Sequence, residues 1–217
     1  MNRTRSVLDL VSLASLGGLV AYTASVYGAL PAQLATHFDW RGNPNGWMSR
    51  ANGTWGIDAF ALVFWALVRT CPKWLPRAND WRKRAEQSPM AAVAMLMMLL
   101  LVGVSAFTVW NGLHPDMPRL ATLDVLLGVY ALVLSSILPR VRRNPILGIR
   151  TPFSLTSDEN WHRTNRFASY SFGVGGLACV VCGLAGVATV GVVAFLGAAI
   201  APWGYSWAIA YRLPPEA

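Results

Sequence analysis

The chain has 217 residues, of which 54% are hydrophobic and only 13% are charged. Soluble domains carry about 25% charged residues, so this composition excludes an ordinary soluble domain and indicates several spans of a lipid bilayer. The net charge of +8 would suit a nucleic-acid partner. The basic residues instead follow the segments between apolar runs, so we expect no direct contact with nucleic acid.

Six segments are long and apolar enough to cross a membrane, which takes about 20 mostly apolar residues. The first is too long for the apolar part of a signal peptide, so we predict that it stays in place as a span. The last two run almost together and are split near residues 186–190. The sequence therefore predicts an all-α membrane protein with six transmembrane helices. The predicted spans are 7–30, 54–70, 90–110, 120–138, 168–187 and 190–211.

The basic residues are divided unevenly between the two sides of the predicted bundle. Of the 18 Lys and Arg residues, all but Arg41, Arg50 and Arg119 fall on the side that holds both termini. The positive-inside rule therefore places both termini in the cytoplasm. We predict a two-span module at 1–70 with an extracytoplasmic loop at 31–53, a basic cytoplasmic linker at 71–89, and a four-span module at 90–217 with a cytoplasmic loop at 139–167.

The outer loop at 31–53 combines a turn with several aromatic residues. Asn43-Pro44-Asn45-Gly46 predicts a type I turn, because Pro is favoured at the second position and Gly at the fourth. His37, Phe38, Trp40 and Trp47 bracket it. The aromatic residues suit the headgroup region of a bilayer. The alternative is a surface that binds a molecule arriving from outside.

A metal site on the outer side is a weaker interpretation. His37 and Asp39 could act as ligands together with His114 and Asp116 of the other outer loop, but no two of them have ligand spacing on a helix. We therefore expect no metal.

The inner loop at 139–167 holds a helix start and an isolated basic residue. Thr156 with Glu159 predicts a capping box, and the helix that follows is expected to run into the fifth span. Arg150 lies beyond the basic cluster that ends the fourth span. It either pairs with Asp158 or Glu159 and ties the loop down, or it has a functional role, and the two are compatible.

Polar and small residues inside the spans give two further expectations. Asp9, Asp58 and Asp124 lie near span ends, where solvation at the interface is expected more than an ion path. Small residues that recur every fourth position predict close helix packing. These sets are Gly17, Ala21 and Ser25 in the first span, and Gly175, Cys179 and Gly183 in the fifth.

The inner stretch GIRTPFSLTSDENWHRTNRFA, followed by two apolar spans, resembles the signature of the SdpI family. These bacterial membrane proteins include immunity proteins against a secreted toxic peptide. Asn165 stands where the family often has His. The residues that match the family pattern are Gly148, Arg150, Thr151, Pro152, Glu159, Trp161, Thr164 and Arg166.

The outer loop is similar to a second module that often accompanies the first. Its pattern is Pro, then His-Phe/Trp-Asn, then Gly-x-x-Asp-Gly-Trp/Tyr, and Asn45 replaces the usual Asp. The residues that match are Pro31, His37, Phe38, Gly42, Gly46 and Trp47.

The resemblance implies a six-span protein of the bacterial inner membrane that gives immunity to a membrane-active peptide toxin. In one branch it implies signalling by a transcriptional repressor held at the membrane. We expect no enzyme activity and no cofactor, because no set of nucleophile, base and orienting group is visible. The alternatives are a small transporter or channel that uses Asp58 and Asp124, and, ranked last, a membrane enzyme with His37, His114 or the Arg150 loop at its site.

Overall fold

A computed structural model describes residues 3–39, 41–75, 80, 83–84, 89–116 and 119–212. Two antiparallel strands, β1 (Gln33–Phe38) and β2 (Pro44–Ser49), form a hairpin after the first helix. The helices are α1 (Arg3–Val26), α2 (Ile57–Thr70), α3 (Met90–Leu113), α4 (Arg119–Ile137), α5 (Pro152–Thr156), α6 (Asp158–Leu184) and α7 (Ala188–Ala210).

The six predicted spans are confirmed. Six helices of the described residues are long and apolar enough to cross a membrane. The predicted split between the last two spans is also confirmed, since Gly186 has a φ of +75° between α6 and α7 and breaks the helix there. The spans are Arg5–Ala29, Asn52–Trp74, Met90–Leu113, Arg119–Arg140, Asp158–Leu184 and Thr189–Ala210.

The fifth spanning helix begins with a different cap from the predicted one. The Ser157 side chain accepts a hydrogen bond from the Asn160 amide, so Ser157 is the N-cap of α6. The predicted capping box of Thr156 and Glu159 is wrong, because the Thr156 hydroxyl donates to backbone carbonyls of α5 and Glu159 pairs with Arg163. Serine and threonine can both cap a helix. Because the Thr156 hydroxyl already bonds within α5, Ser157 provides the cap of α6.

The helices pack in two sets of three. In the first set α3 packs against α1 and α2, and in the second α6 packs against α4 and α7, while α3 also contacts α4. The hairpin packs on α3. The third span therefore belongs with the first two in packing, although it follows the basic linker in sequence.

Small residues allow the closest helix contacts, as predicted for the fifth span. A Cβ placed on Gly175 would lie 2.5 Å from the Ala198 Cβ, and one on Gly183 would lie 2.9 Å from the Ala121 carbonyl oxygen. The same expectation is wrong for the first span, since no atom lies within 4 Å of a Cβ on Gly17. The buried face of α1 is instead formed by Ser12, Leu16, Leu19 and Thr23.

The α4–α6 contact generates a prediction. A Cβ on Gly176 would lie 2.8 Å from the Gly128 carbonyl oxygen, whereas one on Gly173 of the same helix would meet only the Ser135 side chain at 3.9 Å. We expect Gly176→Ala to lower the free energy of unfolding by about 1–3 kcal/mol through overpacking. Gly173→Ala is the matched control and should leave it unchanged or raise it slightly. Thermal unfolding of both variants in detergent measures the difference, and equal stability would contradict backbone contact at Gly176.

Candidate functional site

The inner loop is folded around a single glycine. Gly148 has a φ of +110°, and a Cβ there would lie 2.7 Å from the Trp161 ring and 2.8 Å from the Asn165 Oδ1 atom. The positive φ and the lack of space for a Cβ atom both require glycine at this position. This backbone conformation at Gly148 lets the Ile149 amide donate to the Asn165 Oδ1 atom at 2.9 Å.

Trp161 is the anchor beneath this loop. Its side chain is fully buried, and its indole N–H donates to the Val141 carbonyl at 2.8 Å. Val93 and Leu96 of α3 pack in the same core cluster. A buried indole needs a partner for its N–H group, so the Val141 carbonyl is what allows the ring to leave water.

Thr151 begins the short helix α5 and closes a reciprocal cap. Its hydroxyl accepts from the Ser154 amide at 2.9 Å, and the Thr151 amide donates to the Ser154 hydroxyl at 2.8 Å. Pro152 occupies the first turn, where its missing N–H group costs nothing. The capping box of this loop is therefore real but lies five residues before the predicted one.

A buried polar network fastens the loop to the last two spanning helices. The Thr151 and Ser206 hydroxyls lie 2.6 Å apart, and Ser206 donates to the Asn160 Oδ1 atom at 2.9 Å. Thr164 donates to the same oxygen at 3.0 Å. Sequence reasoning missed Asn160 and Ser206; a polar residue within an apolar span was the available signal for Ser206.

Asn165 has a structural role. Its side-chain N–H donates to the Trp161 carbonyl at 3.0 Å while its oxygen holds the Ile149 amide. An amide side chain supplies this donor and acceptor without a charge. The position where the resembled family often has His is therefore used here to hold the loop on α6.

The remaining predicted residues of the inner loop are exposed. Arg150 donates to the Pro145 carbonyl at 2.7 Å, and Arg166 donates to the Tyr170 hydroxyl at 3.3 Å. The predicted pairing of Arg150 with Asp158 or Glu159 is wrong, because other arginines already neutralise both acids. Arg84 and Arg143 pair with Asp158, and Arg163 pairs with Glu159.

A charged cavity of about 570 Å³ lies beside this loop. It is formed where residues 80, 83 and 84 of the linker meet the end of the fourth span and the start of α6. The sequence predicted basic loops but not a shared concave surface. The charged residues and the histidine that line it are Asp80, Lys83, Arg84, Arg140, Arg142, Arg143, Asp158 and His162.

The outer loop contains the hairpin rather than an irregular loop, with Gly46 opposite His37 in an irregular register. Phe38 packs edge-on against Phe107 of α3, with ring centroids 5.8 Å apart, and the Arg119 guanidinium lies 6.0 Å from its ring centre. Trp47 is 56% exposed. The hairpin therefore packs the half-buried Phe38 side chain against the bundle and leaves Trp47 exposed.

The hairpin turn lies before the predicted one. The Gly42 amide donates to the Asp39 carbonyl, and the Asp39 carboxylate accepts from the amides of Arg41 and Asn43, each at 2.8 Å. The prediction of a turn over 43–46 is wrong because Pro44 to Gly46 belong to β2. The turn forms earlier because the Asp39 side chain binds the amides of the residues that follow it. Gly42, at a φ of +86°, allows the backbone to close there and not at Asn43-Pro44-Asn45-Gly46.

The two outer histidines, His37 and His114, contact different residues. His37 lies 3.3 Å from the Thr36 hydroxyl, and His114 stacks on Trp110. Across the part of the chain that the structure describes, no group of three His, Cys, Asp or Glu side chains could hold a metal ion.

The intramembrane aspartates are less solvated than predicted. Asp58 is buried and accepts from the Ser105 hydroxyl at 2.7 Å, and Asp124 is fully buried. Neither Asp124 oxygen has a hydrogen-bond partner among the described residues. The prediction of interfacial solvation is therefore wrong for Asp58 and Asp124, because neighbouring helices cover both side chains. Asp9 is partly exposed and forms an ion pair with Arg69 at 2.8 Å.

Together these features define a multi-pass membrane protein with an ordered segment at each end of its helix bundle. Residues 140–206 match the SdpI/YfhL protein family, and residues 15–62, which include the hairpin, match a domain of unknown function, DUF1648. Both matches support membership of the SdpI family, and the first covers the inner loop on which the resemblance rests. No curated protein and no solved structure matches the chain.

The Gly148 contact generates a prediction. Gly148→Ala adds a clash with Trp161 and Asn165 to the strain of a positive φ, whereas Gly186→Ala has the strain with no atom within 4 Å. We expect Gly148→Ala to lower the free energy of unfolding by about 1–3 kcal/mol more than Gly186→Ala does. Thermal unfolding of the two variants measures this excess. If both lose the same stability, Trp161 does not pack against Gly148.

The hairpin turn generates a prediction about pH. The hydrogen bond from the Asn43 amide, the largest contribution, holds the pKa of Asp39 below its ordinary value. A carboxylate with a lowered pKa stabilises the turn fully above its ordinary pKa, and this contribution is lost as the pH falls through the lowered value. We expect an NMR titration of the Asp39 carboxyl carbon to give a midpoint below about 4, the ordinary value. A midpoint at or above that value would contradict the turn geometry.

Proposed function

We propose that this protein is an SdpI-type immunity protein of the bacterial inner membrane that protects the cell from a secreted, membrane-active peptide. It acts by binding and not by catalysis, and it needs neither a cofactor nor direct contact with nucleic acid. The family match at 140–206 is the observation that carries this proposal, since it coincides with the inner-loop scaffold.

The scaffold supports a binding role for the inner loop. The motif residues Gly148, Thr151 and Trp161 hold the loop in one conformation, and Arg150 is exposed on it with its guanidinium bonded to the Pro145 carbonyl. A rigidly placed arginine loses little freedom on binding. We propose that Arg150 contacts the cytoplasmic partner, a transcriptional repressor in the signalling branch of the family.

The hairpin supports a binding role on the opposite side. Trp47 and Met48 are exposed large apolar residues on β2, and Arg50 fixes the base of the hairpin by donating to the Pro31 and Tyr27 carbonyls at 3.2 and 3.3 Å. Exposed aromatic residues on a rigid element suit an amphipathic peptide. We propose that the toxin meets this surface.

Helix α3 offers a route between the two surfaces. Near its outer end Val109 packs against Leu34 of the hairpin, and near its inner end Val93 and Leu96 pack in the Trp161 cluster. A shift of α3 would disturb both contacts. A coupling free energy of about 1–3 kcal/mol would suffice to transmit toxin binding to the inner loop.

The function is tested by survival of toxin-sensitive bacteria that express the chain and are challenged with an SdpC-type peptide. We expect wild type to protect and Arg150→Ala to reduce survival to that of cells without the protein. Arg163→Ala is the matched control, because this exposed arginine contributes only a surface ion pair with Glu159, worth about 0.5 kcal/mol. Membrane levels of each variant are measured in parallel.

Two results would count against the proposal. Full protection by Arg150→Ala at normal membrane levels would remove the inner-loop mechanism. Absence of protection by correctly inserted wild type would remove the immunity function itself.

A transporter is the second candidate, and Asp124 is the observation that favours it. A buried carboxyl group without a hydrogen-bond partner among the described residues is a candidate for a proton or ion path. If this candidate is right, liposomes that contain the protein show ion or solute flux that Asp124→Asn abolishes. No flux across common substrates would exclude it.

A further inference from the structure

The charged cavity beside the inner loop brings together three segments that are distant in sequence. Lys83 and Arg84 come from the linker, Arg140 and Arg142 from the end of the fourth span, and His162 from α6. The positive-inside rule requires basic loops but not their convergence on one concave surface. The cavity therefore needs an explanation beyond membrane topology.

Ion pairs hold the cavity wall together. Asp158 pairs with the Arg84 guanidinium at 2.6 Å and with Arg143 at 2.7 Å, which joins the linker to the fourth span across α6. Asp158 is itself well placed in the first turn of α6, where negative charge is favoured. These pairs fix cationic groups at the wall before any ligand arrives, which lowers the entropic cost of binding.

The charge of the cavity stays positive after these pairs are counted. Among the residues that the structure describes, five Lys and Arg side chains line it against two Asp side chains. Its volume of about 570 Å³ lies within the range of small-ligand sites, about 300–1,000 Å³. An anion that can accept several charge-assisted hydrogen bonds is the ligand class that suits it.

We propose that this cavity binds a phosphate group. Guanidinium groups match phosphate oxygens in pairs, and lysine adds a compact charge. The cavity lies at the end of the bundle that is predicted to be cytoplasmic, where anionic lipid headgroups are abundant. The phosphate comes either from a lipid headgroup or from a soluble phosphate compound. This inference stands apart from the immunity function and does not require it.

The test compares two double variants of the full chain in neutral detergent at about 0.15 M salt, an ionic strength that screens exposed charges. Lys83→Gln with Arg142→Gln removes two cavity charges and keeps Arg84 and Arg143, which pair with Asp158. Arg163→Gln with Arg166→Gln removes two exposed charges of α6 that do not line the cavity. Thermal unfolding is followed while dioctanoyl phosphatidylglycerol or inorganic phosphate is added.

We expect phosphatidylglycerol to raise the unfolding midpoint of wild type and of the Arg163/Arg166 variant equally. The Lys83/Arg142 variant should need about tenfold more ligand for the same rise, because two charge-assisted contacts are lost. Stabilisation by phosphatidylglycerol with no response to inorganic phosphate assigns the site to lipid headgroups. A response to inorganic phosphate as well assigns it to phosphate groups from either source.

Three results would overturn the proposal. The first is an equal ligand requirement of both double variants. The second is an equal rise with octanoate, an anionic amphiphile without phosphate. The third is stabilisation by a polyglutamate peptide alone, which would identify the cavity as a site for an acidic protein segment.

Discussion

The inner half of the structure depends on one hydrogen bond, from the Trp161 indole to the Val141 carbonyl. Without it, a large ring with a polar N–H group could not be fully buried beneath a loop. The ring in turn leaves space only for a glycine at position 148, and that glycine brings the Ile149 amide onto Asn165. Gly148, Thr151, Trp161 and Thr164 of the inner motif therefore stabilise the loop, and its exposed residues, such as Arg150, are displayed by it.

Packing along helix α3 joins the two ends of the bundle. Helix α3 contributes Val109 to the core beneath the hairpin and Val93 to the core around Trp161. Well-packed cores resist gradual deformation, and this supports the proposed coupling of the two ends through α3. The order of the two predicted modules in the sequence therefore differs from their packing, because the third span packs with the first two.

The number of helices could be predicted from the sequence because bilayer thickness fixes the length of an apolar span. Gly186 likewise marks the break between the last two. The hairpin could not be predicted, because its turn depends on Asp39 outcompeting a stronger-looking Asn-Pro-Asn-Gly signal. The burial of Asp124 and the partnership of Thr151 with Ser206 are set by neighbouring helices, and position along a single span carries no information about them.

The Thr151–Ser206 contact also bears on how the protein is made. Ser206 lies close to the C-terminal end of α7, so it emerges from the ribosome long after the inner loop has been synthesised. Until then the Thr151 hydroxyl and the Asn160 side chain lack the partner that completes their network. The loop therefore reaches its final form only after the last helix is in place, and a chain truncated before residue 206 would present an unfinished inner loop.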